Sequence, residues 1–206
     1  MRTEPELAEI VGAFIGDGFT NVYNKKIFIT EFTGHPKNDF KYYHEIIIPL
    51  MRYLFPAKPN VAFRSRSLRL RYNSRQIHIF LTKIIGLPAG VKSQTVTIPK
   101  IFLKNKTTSK AVLRGIFDTD GCIFWNKRKI YKSYYPRLSI TTKSKKLAYQ
   151  LKQMLTKLGF KPCLLCDKWQ NKNAFHIDVY GKKQMNKWVR EIGFSNPHHI
   201  ERLVPQ

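Results

Sequence analysis

Apolar positions along the chain follow two periods. In residues 7–19, LAEIVGAFIGDGF, and again in 110–122, KAVLRGIFDTDGC, they recur every three or four residues, and both runs end at Asp-Gly. That spacing marks buried helices. In residues 60–73, NVAFRSRSLRLRYN, they alternate instead, as in a half-buried strand pair. Leu68, Leu70 and Tyr72 share one face and Arg69 and Arg71 the other, while Val61 and Phe63 point inward and leave Arg64 and Arg66 outward.

The remaining segments repeat this grammar. Residues 19–32 and 122–142 read as hairpins, the first with a polar turn near Asn24 to Lys26. Residues 38–55 read as a helix with Asn38 or Asp39 near its cap, and 75–86 as a helix closed by Gly86. In the second half, helices are expected over 143–160 and 182–194, closed at Gly159 and Gly193, with a hairpin at 163–181 between them. Each half therefore reads αββαββα, which predicts an α+β protein with halves 1–86 and 110–206 and a linker 87–109.

The halves are also related residue by residue. An offset of 103 pairs Ala8 with Ala111, Gly12 with Gly115, Gly16 with Thr119 and Asp17 with Asp120. Ala8, Gly12 and Gly16 form a stripe of tiny side chains down one helix face, and Ala111, Gly115 and Thr119 form its copy. Glycine inside a helix costs about 0.5–1 kcal/mol relative to alanine. Two matching stripes predict that the helices approach backbone to backbone, bringing Asp17 and Asp120 together. An isolated Asp-Gly can simply be a helix end followed by a turn; a repeated pair at the ends of two small-residue seams points to chemistry.

Charge narrows the class. Lys and Arg number 37 against 13 Asp and Glu, a net +24, which calls for a polyanionic partner, nucleic acid foremost. The apolar fraction of 43% supports a packed core, and no apolar run is long enough to span a membrane. The opening MRTEPELAE lacks an apolar signal segment, so an intracellular protein is expected, with no membrane partner. Cys122, Cys163 and Cys166 are too few for a disulfide framework. The lone pair Cys163 and Cys166 lacks a second zinc knuckle and reads as small hydrophobes in a strand. A carboxylate at a helix C-terminus faces the negative end of the dipole. Two such ends side by side repel each other and suit a hard divalent cation such as Mg²⁺, which activates water and steadies a phosphate leaving group.

LRGIFDTDG at 113–121 closely resembles the signature of the LAGLIDADG homing endonucleases, and IVGAFIGDG at 10–18 is a looser copy with Ile15 in place of the first acid. The resemblance implies a monomer with internal pseudo-twofold symmetry. It also implies a double-stranded DNA target cut with 3′ overhangs, and two or three Mg²⁺ ions, with Mn²⁺ substituting and Ca²⁺ supporting binding without cleavage. It further implies an enzyme encoded in an intron or as a free-standing frame, and no intein splicing signature, a Cys or Ser start with a His-Asn finish, is visible. Asp17 and Asp120 map onto the metal-binding acids, with the carbonyls of Gly16 and Thr119 beside them. Asp118 maps onto the first acid, for which a structural role is expected. Lys92 and His198, or else His199, fall where the family places a basic residue near each scissile phosphate.

The family's two sheets form a saddle on the major groove. Its outward face is expected to carry Asn21, Tyr23 and Lys25, with Arg64, Arg66, Arg69 and Arg71, in the first half. In the second it is expected to carry Phe124, Asn126, Arg128, Arg137, Ser139, Thr141, His176 and Asp178. Many of the lysines are equally accounted for as a solvated basic surface. Rival readings are an RNA maturase and a non-catalytic DNA-binding regulator; retention of both aspartates favours a nuclease.

Overall fold

A computed structural model describes residues 4–64, 66–127, 134–167 and 174–205. Helix α1 (Pro5–Asp17) starts on a proline at its first turn and is buried on nearly every side from Leu7 to Ile15. It runs directly into β1 (Gly18–Tyr23), which pairs with β2 (Ile27–Gly34) across a tight turn where Asn24 and Lys25 take φ of 50° and 57°. Helix α2 covers residues 40–54, followed by β3 (Asn60–Arg64), β4 (Ser67–Tyr72) and helix α3 over residues 75–84. A 3₁₀ turn, Lys100–Leu103, leads into α4 (Lys106–Asp120), whose Asn105 side chain caps the Thr107 N–H. This helix begins before the Lys110 boundary drawn from the sequence, because the capping Asn105 opens it one turn early. Then follow β5 (Gly121–Asn126), β6 (Tyr135–Thr142), α5 (Lys145–Lys157), β7 (Pro162–Asp167), β8 (Ala174–Tyr180), α6 (Lys182–Glu191) and a short α7 (Pro197–Glu201).

Each half has one antiparallel four-stranded sheet, ordered β1-β2-β4-β3 and β5-β6-β8-β7. The helices cover one face of each sheet, and a single hydrophobic cluster runs through both halves. The expected αββαββα order holds twice. Within α2 the turn Tyr43–Ile47 widens to π geometry, with Ile48 N–H bonding Tyr43 O. Pro49 follows, and its ring cannot accept the normal α-helical approach of the carbonyl four residues earlier.

The centre of the fold is the contact of α1 with α4. A Cβ built on Gly12 would lie 2.3 Å from Val112 O, and one on Gly115 would lie 2.2 Å from Glu9 O. The small-residue stripes therefore meet as expected, backbone against backbone. Beside the seam, Arg114 of α4 donates to Glu9 of α1 (Nε to Oε2, 3.0 Å) and to Ile192 O (3.1 Å), which closes the upper end of the interface with a charge pair.

Two expectations change. Phe63 lies opposite Leu68 on the inner side but is 59% exposed, because β3 is an edge strand that only the first turn of α2 reaches, through Phe40, 5.9 Å between ring centroids. Cys163 and Cys166 are exposed and unpaired rather than packed. They lie on opposite faces of β7, opposite Asp178 and Phe175, so strand geometry keeps them from sharing one ligand.

Candidate active site and nucleic-acid interface

Asp17 and Asp120 are the last residues of α1 and α4. A Cβ on Gly16 would fall 2.1 Å from Thr119 Oγ1 and 3.2 Å from Asp120 Cγ, so the two helix ends abut and the carboxylates share one site. Thr119 bonds back to the carbonyls of Gly115 (3.0 Å) and Ile116 (3.1 Å), which leaves its own side chain out of any ligand set.

The electrostatics are those of crowded anions. Burial, then the charges of Asp120 and Asp39, hold the Asp17 carboxyl well above the usual range; a 2.9 Å hydrogen bond from Tyr43 OH to its Oδ2 opposes this. Burial likewise pushes Asp120 up to about 6, opposed by Lys92. Asp120 also reaches solvent, so its surface and its surroundings point different ways. The carboxylate opens onto a cleft, while the packed helix ends behind it still remove much of its hydration. The cleft is lined by Ile15, Gly16, Lys92, Ser93, Asp120, Thr141, Thr142 and Lys143 among others.

Lys92 reaches this point from the segment after α3. Its Nζ donates to Ile15 O (2.5 Å) and Gly16 O (2.7 Å), the terminal carbonyls of α1. An ammonium ion is the natural cap for a negative helix end. Burial draws its pKa down, while Asp120 and Asp17 draw it up. The pocket is thus one that holds a cation, and its donors are hard oxygens, which fits a divalent metal. Among the described residues no group of three or more acidic, His or Cys side chains gathers around one point. The carboxylates at the two helix ends are those of Asp17 and Asp120, and one carbonyl expected to serve the metal, that of Gly16, is engaged by Lys92.

The second half departs from the expected symmetry. Asn196 Nδ2 donates to Asp118 O (3.1 Å), the carbonyl that matches Ile15 O at the 103-residue offset, and to Asp39 Oδ1 (3.0 Å). A neutral amide therefore stands where Lys92 stands in the first half. His198 lines a separate groove with Lys37, Asn38, Phe40, Lys41, Pro197 and Glu201. The cause is local: Asn196 caps α7 through the His198 N–H (3.1 Å), and the helix that follows carries His198 away. His199 is buried, with a pKa lowered to about 4 chiefly by burial.

Strand register settles the outward faces. Asn21 and Tyr23 share one with Glu31, Thr33, Arg69, Arg71, Ala62 and Arg64. Lys25 and Arg66 sit in the turns rather than on strands. In the second sheet Phe124, Asn126, Arg137, Thr141 and His176 lie on the outward face, and Thr141 Oγ1 lies 3.0 Å from His176 Nδ1. Ser139 and Asp178 share that face but are 4% and 0% exposed, covered by their larger neighbours, so neither is free to touch DNA directly. Arg128 lies outside the described residues. Thr141 also lines the Asp120 cleft, which makes the aspartate site continuous with the second sheet's outward face.

Residues 107–193 match the LAGLIDADG-like domain family. The second half of the chain therefore carries a LAGLIDADG-like domain. The second LAGLIDADG helix, α4, lies in the matched region, and α1 is its internal copy. Among solved structures, the homing endonuclease I-DmoI in complex with DNA and Mn aligns at TM-score 0.66 and 20% identity, over 92% of this chain and 96% of that one. I-WcaI bound to its DNA recognition sequence aligns at TM-score 0.66 and 15% identity, over 99% of this chain and 88% of that one. These likenesses show the fold. By sequence, the chain is 28% identical over 203 residues to the replication factor C small subunit of Thermococcus kodakarensis, covering 98% of this chain and 21% of that protein. The chain spans about a tenth to a fifth of the curated relatives matched first.

Beyond the LAGLIDADG aspartates, three site residues had no sequence signal that separated them from their neighbours: Tyr43, Asp39 and Asn196. Asp39 and Asn196 carried only a hint, as helix-cap candidates, and that hint said nothing of the site. Asp118 is buried, accepts the Ser195 N–H at 2.8 Å, and is pushed up to about 8 by burial. An unfolded aspartate titrates near ~3.9. The folded state thus binds more protons than the unfolded one between these values, and stability falls as pH rises through that window. His199 has the opposite effect, but only below its ordinary value of ~6.5. In chelator, the melting temperature is therefore expected to fall between pH 6.5 and 8. Asp118→Asn, which keeps an acceptor for Ser195, is expected to raise the melting temperature more at pH 8 than at pH 6. A uniform shift in a calorimetric series would show that Asp118 is not the titrating group.

Proposed function

We propose that this chain is a site-specific DNA endonuclease that makes Mg²⁺-dependent double-strand cuts with 3′ overhangs in a long target, promoting mobility of the intron that encodes it. The observation that carries this reading is the meeting of the α1 and α4 ends that bear Asp17 and Asp120, beside a cleft that Asp120 lines and that continues onto an outward sheet face. I-DmoI complexes with DNA have been crystallised with Mn and with Ca, which supports use of a divalent metal. The chain is proposed to act as a monomer on double-stranded DNA inside the cell.

In this mechanism Asp17 and Asp120 would hold the metal, and the terminal carbonyl of Thr119 lies beside them. Bound Mg²⁺ supplies Lewis acidity that lowers the pKa of a water and steadies the leaving oxygen. The chain's own groups do the rest. The basic outward faces seat the phosphodiester backbone over the cleft. Tyr43 orients the Asp17 carboxylate by donating to Oδ2, leaving its remaining lone pairs for a cation. Lys92 places a positive charge beside Asp120, where a phosphate oxygen gains charge as the bond breaks. Asn196, at the matching place in the second half, adds no second charge, so the two strands meet chemically different environments.

Plasmid carrying the uninterrupted host-gene junction tests the function. A linear product with Mg²⁺ and none in chelator is expected; intact plasmid under both conditions on every such substrate would overturn the reading. Lys92→Met is expected to slow single-turnover cleavage by about 10²-fold while DNA affinity changes only a few-fold. An unchanged rate would reduce Lys92 to a helix cap.

A further inference from the structure

Each sheet carries a buried carboxylate on the face that would meet a polyanion. In the first sheet, Glu31 lies directly opposite Arg71. Its Oε2 accepts from Arg71 Nε (2.9 Å) and lies 2.8 Å from Nη2; its Oε1 accepts from Thr33 Oγ1 (3.1 Å) and lies 3.7 Å from Arg69 Nη1. The Glu31 side chain is only 10% exposed. In the second sheet, Asp178 Oδ2 accepts from Arg137 Nη1 (3.3 Å) and Tyr180 OH (2.7 Å). The Arg137 guanidinium lies 4.4 Å from the Phe124 ring centroid.

A carboxylate in a DNA groove repels phosphate, and an arginine that merely grips the backbone gains nothing from having one beneath it. The acid has a use if the arginine must hold one fixed pose. Glu31 engages the Nε–Nη2 edge of Arg71 and leaves Nη1 at the far edge for another partner. A planar donor group locked in this way matches the O6 and N7 acceptors of guanine in the major groove. The aromatic face of Phe124 restrains Arg137 similarly.

We infer that Glu31 and Asp178 are positioning residues that turn Arg69, Arg71 and Arg137 into guanine readers, two under the first sheet and one under the second. The half-site beneath the first sheet then carries the greater guanine information. This rests on the DNA-cleaving function above, but only on its binding part.

The test is selection of duplexes from a randomised pool by the full chain in chelator, comparing wild type with Glu31→Gln and Asp178→Asn. Wild type is expected to enrich an asymmetric site. E31Q should enrich the same site with guanine preference reduced about tenfold at one or two positions, the size expected for loss of one bidentate pair. Its affinity for random duplex should be equal or tighter, because a negative charge is gone, and its melting temperature should be kept. Arg71→Ala, at an exposed side chain, must lose one of the same positions, and this comparison stands even if E31Q fails to fold. An unaltered guanine preference in E31Q, or a uniform loss of affinity for all sequences with a lowered melting temperature, would overturn the positioning role while leaving the nuclease reading intact. A wild type that retains no duplex would overturn both.

Discussion

Asp17→Asn and Asp120→Asn are each expected to lower double-strand cleavage by about 10³-fold or more, the scale of removing an essential metal-assisted step. Their stability should move the other way. Both carboxylates are held above their ordinary pKa by burial, and Asp17 also by the charge of Asp120. Replacing either by a neutral amide removes a buried charge, only partly offset by Lys92, from a negative helix end. The variants should therefore melt at or above the wild-type temperature in chelator. They should also bind DNA at least as tightly without metal, since one anion has left the phosphate path. That combination separates a chemical role from a structural one, because active sites accept destabilising arrangements that substitution relieves. Cleavage retained by either variant, or binding lost in step with cleavage, would remove Asp17 and Asp120 from the proposed chemistry. Gel-shift titration, single-turnover cleavage and thermal melts on one preparation decide it.

Gly115→Val should damage the fold more than any surface change. Its Cβ would lie 2.2 Å from Glu9 O and 2.7 Å from Ala13 N, both backbone atoms with no rotamer to yield. The helices would have to part along the seam that holds the two halves together, opening voids against a close-packed core. A loss of about 3–5 kcal/mol is expected, which for a chain of this size lowers the melting temperature by about 10 °C. Gly16→Ala is milder in kind, since its first neighbour is the Thr119 side chain, but it pushes toward Asp120. It should cost activity before stability. A Gly115→Val protein that melts normally would mean that α1 and α4 do not abut, and the shared aspartate site would go with them.

Much of this architecture was legible in one dimension. Periodicity placed the central helices and the strands, and the 103-residue offset disclosed two copies of one unit. Small residues at i, i+4 and i+8 signalled close helix contact, because a glycine inside a helix has a cost that only packing offsets. Alternation placed Arg69 and Arg71 outward and Leu68 and Leu70 inward, since a strand has period two. Alternation failed at Lys25 and Arg66, where the chain had already turned, and at Phe63, where an edge strand meets only the first turn of a helix and stays largely exposed.

Sequence by itself determined the repeat, the seam and the two aspartates that end it, because each depends on spacing within a single helix or strand. Tertiary structure alone decided which groups surround those aspartates. Tyr43 arrives from α2, Lys92 from the segment after α3, and Asn196 from beyond α6, so their meeting depends on how helices stack, and sequence distance carries no trace of that. It alone also showed that Ser139 and Asp178, outward by register, are covered, because exposure depends on the size and pose of neighbours on adjacent strands. The replacement of an expected His198 by Asn196 has the same origin: a cap that starts α7 redirects the chain, and two residues of helix are enough to carry an imidazole into a different groove.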